Sequence, residues 1–308
     1  MQMSNAIKKT VRGTFLGTYL LSELHIVESK ILPKLITDES AIRLYYKKQS
    51  GGQELDLEAP KRFSEKTNWY KLHSRDPLMQ VCADKYAVRE YVAKCGLERI
   101  LNSLYGVYYH SKDISLKELP SRFVLKASHG SHMNIVYPDT KYSWRQSCLL
   151  LDSWLRQDIY WSGREWVYKD MPKRIIAEKF LSDETGELRD FKLFCFDGEP
   201  VFLQFDMGRF KGERYRNYYD MDLRLLDVSD CIIQSNPDIK PIEDYSFEEM
   251  KSIARVLSKP FQFVRTDFYL IGHQIVFGEM TFFDGGGYSG FKRDEDEFIF
   301  GNPWTLRE

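Results

Sequence analysis

The stretch FVRTDFYLIGHQIVFGEMTFFDGGGYSG, Phe263 to Gly290, decides how this chain is read. Gln262 to Leu270 and Ile275 to Thr281 are rich in Val, Ile, Phe, Tyr and Thr and are separated by a break containing Gly272, which predicts a β-hairpin. With a three-residue loop of Gly272, His273 and Gln274, Ile271 pairs with Ile275 and Asp267 falls directly across from Glu279. Side chains alternate faces along a strand, so Arg265, Asp267 and Tyr269 then share a face with Phe277, Glu279 and Thr281. A two-residue turn instead sets Asp267 opposite Gly278. Two facing carboxylates repel, and a divalent cation would offset that: carboxylates completed by phosphate oxygens are how Mg²⁺ is usually held, and an Arg beside them suits a phosphate. A solvated face on an edge hairpin accounts for the same residues equally well.

Working outward, the 308 residues suffice for two or three compact units with a large core. With 29% charged residues and a net charge of -1, no global basic field points to nucleic acid or to an acidic membrane surface. The five cysteines, Cys82, Cys95, Cys148, Cys195 and Cys231, are odd in number and widely spaced, which indicates neither a zinc site nor a disulfide framework. Thr10 to Leu24 is broken by Gly and polar residues and has no clear cleavage site, so no signal peptide is expected. No apolar run reaches the ~18 residues of a spanning helix. A cytoplasmic protein is expected, with peripheral membrane contact left open.

In chain order, residues 1–58 read as helical up to the Gly51-Gly52 break, and Ser64 is placed to cap a helix through Trp69 and Leu72. Residues 84–96, DKYAVREYVAKCG, read as a helix with Asp84 as N-cap and Gly96 at its end. Lys85 in its first turn is badly placed against the helix dipole unless it and the free N–H groups face a phosphate; taken alone, a surface lysine is the preferred reading. Arg122 to Tyr137, RFVLKASHGSHMNIVY, reads as strand, small polar loop and strand. It is neither a Walker A loop nor G-x-G-x-x-G. Its backbone N–H groups can still form an anion concavity, with Lys126 just before it as a point charge and His129 and His132 as loop histidines near phosphate. The four Trp between Lys141 and Asp170 read as core. Arg174 to Leu181 reads as a buried strand in which Glu178 needs a hydrogen-bond partner. Leu188 to Phe196 and Val201 to Phe205 read as strands joined at Asp197-Gly198, with Asp190 and Lys192 on one face. Met207 to Tyr219 reads as an aromatic and basic loop for which simple solvation suffices.

The order of these residues resembles the ATP-grasp superfamily, specifically its TupA-like branch, associated with teichuronopeptide and cell-surface polysaccharide biosynthesis. The phrases FSEKTNWYKL, ADKYAVREYV, FVLKASHGS, RIIAEKFL, FKLFCFDGEP and FGEMTFF carry the resemblance from about residue 55 to 291. It implies an α+β fold with two antiparallel-sheet subdomains clamping ATP and a helical N-terminal extension. The segments would be residues 1–60, helical; 61–120, the N-terminal part of the grasp; 121–182, an ATP-binding lid; and 183–308, a catalytic part with the Mg²⁺ site. By match, Lys85 and Lys126 hold the α- and β-phosphates under the loop of Ser128, His129, Gly130 and Ser131. Glu178 accepts from the adenine amino group, Lys179, Phe180 and Leu181 form the hinge beside the base, and Asp190 binds ribose. Arg265 and Lys126 are the catalytic cations, and Asp267, Glu279 and Thr281 hold Mg²⁺. Thr281 stands where many relatives have Asn, and Asp284-Gly285 where they have Pro-Gly, which puts a second metal in question.

The implied activity is an ADP-forming carboxylate–amine ligase working through an acyl-phosphate, joining an amino acid or amine to a uronic acid of a cell-surface glycan or its precursor, with no nucleic-acid partner. Arg209, Arg214 and Arg216 are assigned to that acceptor. The alternatives are a glycosyl- or phosphotransferase of polysaccharide synthesis and a non-catalytic nucleotide-binding protein.

Overall fold

The computed structural model describes residues 14–31, 35–183, 186–208, 213–241, 245–288 and 290–307. In chain order its helices are α1 (Phe15–Ile31), α2 (Asp38–Gln49), α3 (Phe63–His73), α4 (Pro77–Ala83), α5 (Val88–Lys94), α6 (Trp144–Arg156), α7 (Tyr160–Gly163), α8 (Tyr245–Ser258) and α9 (Asp294–Gly301). The chain divides into two units, one drawn from Met1–Thr37, Asp84–Tyr86 and Ser103–Phe180, the other from Asp38–Ala83, Ala87–Asn102 and Leu181–Glu308. Each is built on one antiparallel sheet, as the α+β expectation requires.

In the first unit β1 (Leu104–Tyr108), β2 (Phe123–Ala127), β3 (Asn134–Tyr137) and β4 (Ile175–Lys179) lie in the order β1-β4-β2-β3. Alternation sends Phe123, Leu125, Ala127, Ile175 and Ala177 into a core closed by Leu150, Leu151 and Trp154 of α6. Lys126 and Glu178 alternate with these core residues and so occupy the opposite face.

In the second unit β5 (Arg189–Phe196), β6 (Glu199–Met207), β7 (Tyr215–Tyr219), β8 (Phe263–Ile271) and β9 (Gln274–Thr281) lie in the order β7-β6-β5-β8-β9. Asp197 and Gly198, both at positive φ, make the tight β5–β6 turn anticipated from their sequence. One sheet face, with Phe191, Leu193, Val264 and Phe268, is apolar, and α8 contributes buried Met250, Ile253, Ala254 and Leu257. The other face is divided. Its aromatic half, Phe194, Phe196, Phe202 and Phe263, stacks with Phe63 of α3, Phe300 of α9 and Trp304. Its polar half is left to carry charge.

The structure corrects several local expectations. The hairpin turn has two residues, with Ile271 opposite Gln274. Asp267 nevertheless meets Glu279, because a β-bulge between Asp267 and Phe268 absorbs Gly278. Glycine suits the position, since a Cβ would lie a tight 3.0 Å from the Asp267 carbonyl oxygen. Phe277 consequently pairs with Phe268 and leaves the acidic face. Ser64 is not a cap but lies inside α3, whose N-terminal N–H groups are met by carboxylates: Glu65 accepts from Lys61 and Arg62, and Glu297 from Ser64. Asp84 does not start α5, which begins at Val88. Its carboxylate turns the chain by accepting from Tyr86 N–H and ion-pairs with Arg174 at 3.0 Å, while Lys85 N–H goes to the Ser128 carbonyl. Of the supposed loop Met207 to Tyr219, its first residue ends β6 and Tyr215–Tyr219 is strand β7.

Candidate functional site

Across the second unit's five strands the register aligns Tyr218, Gln204, Lys192, Asp267 and Glu279 in one row and Arg216, Asp206, Asp190 and Tyr269 in the next. Lys192 Nζ lies 2.7 Å from both Asp190 Oδ2 and Asp267 Oδ2. The Arg265 fork grips Asp267 through Nε and Nη2, each at 2.7 Å, donates to Thr281 Oγ1 at 3.3 Å, and reaches Asp284 through Nη1 and Glu279 at 3.8 Å. Arg216 forks onto Asp206 at 2.7 and 2.8 Å and donates to Asp230 at 2.8 Å. Within these ion pairs six carboxylates (Asp190, Asp206, Asp230, Asp267, Glu279, Asp284) meet three cations (Lys192, Arg216, Arg265), a formal excess of three negative charges.

Asp267, only 1% exposed, is thus neutralised by Arg265, which shares its strand face, and by Lys192 of β5, a cation the hairpin sequence alone could not connect to it. Burial works against the charge on both, yet Asp190 and Asp267 raise the Lys192 pKa above the ordinary lysine value, and Asp267 and Asp284 raise Arg265 well above its own. Burial likewise favours the neutral Asp206 carboxyl, but Arg216 holds it below the usual range. No group of three or more His, Cys, Asp or Glu stands preassembled for a metal among the described residues. The donor set is nonetheless one of hard oxygens: Asp267, Glu279, Asp284 and Thr281 gathered around one guanidinium, with a formal surplus of negative charge. That chemistry fits Mg²⁺. Glu279 is half-buried and hence accessible, whereas Asp267 is enclosed.

Glu187, just before β5, is 4% exposed, and its two carboxylate oxygens have no hydrogen-bond partner among the described residues. A buried carboxylate without donors is costly and awaits hydroxyl or amine donors. Composition alone did not single it out, because the preceding turn, SDETG, reads as an ordinary acidic surface loop.

In the first unit Lys126 Nζ pairs with Glu178 Oε2 at 2.7 Å. Lys85 Nζ donates to the Gly130 carbonyl at 2.8 Å, so the lysine of the Asp84 turn and the small-residue loop come together. Ser128 is buried, its N–H donating to the Arg174 carbonyl at 2.9 Å, while Ser131 is exposed. His129 is turned away from the phosphate role expected of it. It is 2% exposed with Nε2 2.9 Å from the Trp154 carbonyl, and burial lowers its pKa to about 4, which leaves a neutral imidazole. Lys179 is exposed, and Phe180 lies under the Arg122 guanidinium at 3.7 Å. Lys179 and Phe180 close the last segment of the first unit, and Leu181 opens the last segment of the second. Of the acceptor arginines, Arg209 lies outside the described residues, Arg214 is exposed, and Arg216 is committed to Asp206 and Asp230.

One sheet thus carries a lysine beside a small-residue loop and the other a row of carboxylates. The sequence model of the TupA-like ATP-grasp family matches residues 65–304, and the chain belongs to that family. No curated protein shows a significant match. Among solved structures the chain is similar to the D-alanine–D-alanine ligase of Helicobacter pylori, at 13% identity and a TM-score of 0.43 over 80% of this chain and 70% of that one. It is also similar to the L-amino acid ligase of Bacillus licheniformis, at 13% and 0.43 over 83% and 55%. The D-alanine–D-alanine ligase of Bacillus anthracis complexed with ATP matches at 11% and 0.40 over 66% and 55%.

Proposed function

We propose that the chain is an ATP-dependent, ADP-forming carboxylate–amine ligase that joins an amino acid or amine to a uronic acid of a cell-surface glycan or its precursor. Family membership supports the nucleotide, and one observation carries the rest: the ion-paired cluster around Lys192, Arg265 and Arg216 holds three more carboxylates than cations, a surplus suited to Mg²⁺. Bound by Asp267, Glu279 and Thr281 with Asp284 beside them, Mg²⁺ would neutralise the phosphates between which the bond breaks. The protein's own part is positioning and charge. Lys85 and Lys126 hold the α- and β-phosphates, Ser128, Gly130 and Ser131 offer the loop around them, and Glu178 with Lys179, Phe180 and Leu181 lines the adenine. We assign the ribose hydroxyls to Glu187, whose oxygens have no donor among the described residues, and give Asp190, tied to Lys192, the task of fixing that lysine. Arg265 faces the γ-phosphoryl group as it passes to the substrate carboxylate, after which the amine displaces phosphate and the amide bond forms. Arg214 is exposed, whereas Arg216 is committed to Asp206 and Asp230, so Arg214 is the better candidate of the two to pair with the acid substrate; Arg209 lies outside the described residues.

The test is a screen of uronic acids and uronylated glycans against amino acids and amines, reading ADP and phosphate. Release that requires both an acid and an amine is expected; production of AMP, or nucleotide-independent use of a sugar nucleotide, overturns the reading.

A further inference from the structure

The glycine-rich segment after β9 is closed by two backbone hydrogen bonds, Gly286 N–H to the Phe283 carbonyl at 2.9 Å and Tyr288 N–H to the Gly285 carbonyl at 3.2 Å, and is gripped from outside by α3. Its 3₁₀ turn, Asp284–Gly287, has Gly285, Gly286 and Gly287 at φ of 55°, 65° and 71°, in the left-handed region where side chains are disfavoured. Glycines have no side chains with which to anchor such a turn, so side-chain anchoring has to come from what packs on it. Two side chains of α3 supply that. Lys71, 1% exposed, sends its ammonium into the turn, donating to the Gly286 carbonyl and to Asn68 Oδ1 at 3.0 Å, with the Tyr288 ring 4.2 Å away. Asn68, fully buried, donates to the Gly287 carbonyl at 2.8 Å and to the Ser64 carbonyl at 3.0 Å. The fit is close: a Cβ on Gly287 would lie 2.8 Å from Asn68 Nδ2.

Burying an ammonium is expensive unless it is paired or well hydrogen-bonded, and a carbonyl, an amide oxygen and an aromatic face are among the partners of Lys71. The residue that begins the clamped turn is Asp284, the carboxylate that Arg265 Nη1 holds beside Asp267 and Thr281. We propose that Lys71 and Asn68 are positioning residues that fix the glycine turn, and through it hold Asp284 at the site where Mg²⁺ binds with nucleotide. Neither touches the reacting atoms. The motif FSEKTNWYKL is thereby tied to the chemistry of FFDGGG, more than 200 residues later in the chain. This inference rests on the Mg²⁺ assignment proposed above.

The experiment is ATP binding by titration calorimetry, with and without Mg²⁺, on wild type, Lys71→Met, Lys71→Arg, Lys71→Gln and Asp267→Asn, with thermal melts of each. Lys71→Met is expected to weaken Mg²⁺-dependent ATP binding about tenfold while leaving metal-free binding within twofold; Lys71→Gln, which keeps a donor for the carbonyl, loses less, and Lys71→Arg recovers most of the affinity. If Lys71→Met does not fold, the Lys71→Gln and Lys71→Arg pair decides alone. Equal losses with and without Mg²⁺, or a lower melting temperature with unchanged Mg²⁺ dependence, overturns the positioning role and leaves the metal assignment standing. An Asp267→Asn protein that keeps the full Mg²⁺ dependence overturns the metal assignment and this inference with it.

Discussion

The two units both carry a buried or half-buried lysine against carboxylate on a sheet face, but they balance charge differently. In the first, Lys126 meets Glu178 one to one. In the second, Lys192 stands between Asp190 and Asp267, with Arg265 and Arg216 spread over the remaining carboxylates, and negative charge is left over. A balanced pair can release its lysine to an incoming phosphate and its carboxylate to an amine donor. An over-negative row suits a further cation, and its own cations hold its carboxylates together. The difference teaches which residues contribute to affinity and which to integrity.

The sharpest break of that comparison is Glu279→Gln, which removes one negative charge at constant shape from an accessible position. Turnover is expected to fall roughly a hundred- to a thousandfold with an unchanged melting temperature; a chain that unfolds instead makes Glu279 a structural member of the row. Next is Lys192→Met, which leaves Asp190 and Asp267 buried without their shared cation. Urea unfolding should report a loss of about 3 to 5 kcal/mol, whereas Lys126→Met, on the balanced side, should lose far less.

A third measurement concerns the loop of the first unit. The folded-state pKa of His129 lies at about 4, below its ordinary 6.5, so the folded protein binds that proton more weakly than the unfolded chain does. Its contribution, about 3 kcal/mol at most, is fully present above pH 6.5 and is lost as pH falls from there towards 4. His129→Gln should flatten stability across that window; an unchanged slope would mean that His129 is not the buried neutral group described. The smallest effect is that of Lys126→Ala, which should raise the ATP concentration at half-saturation about tenfold while sparing the fold. Unaltered nucleotide response would return this segment to an ordinary hairpin.

Much of the site was legible because local pattern carried it. The hairpin of Asp267 and Glu279, the lysine before the small-residue loop and the polar face shared by Asp190 and Lys192 all follow from period-two alternation and turn chemistry. The facing of Asp267 and Glu279 was read correctly from the wrong turn: a two-residue loop and a bulge at Gly278 replace the three-residue loop, and a bulge leaves only a glycine as its trace. For the arginines of Met207 to Tyr219, composition does not say whether a guanidinium meets solvent or carboxylate; Arg216 meets Asp206 and Asp230.

What the sequence by itself determined is what each strand carries on each face, because alternation is a property of the backbone and needs no partner. Which strand lies beside which was decided by the tertiary structure alone. Lys192 reaches Asp267 because β5 pairs with β8, Glu297 caps α3 because α9 packs on it, and Lys71 clamps the glycine turn because α3 and the end of β9 converge. Charges placed on separate strands neutralise one another only at distances of a few ångströms, and long-range packing sets those distances.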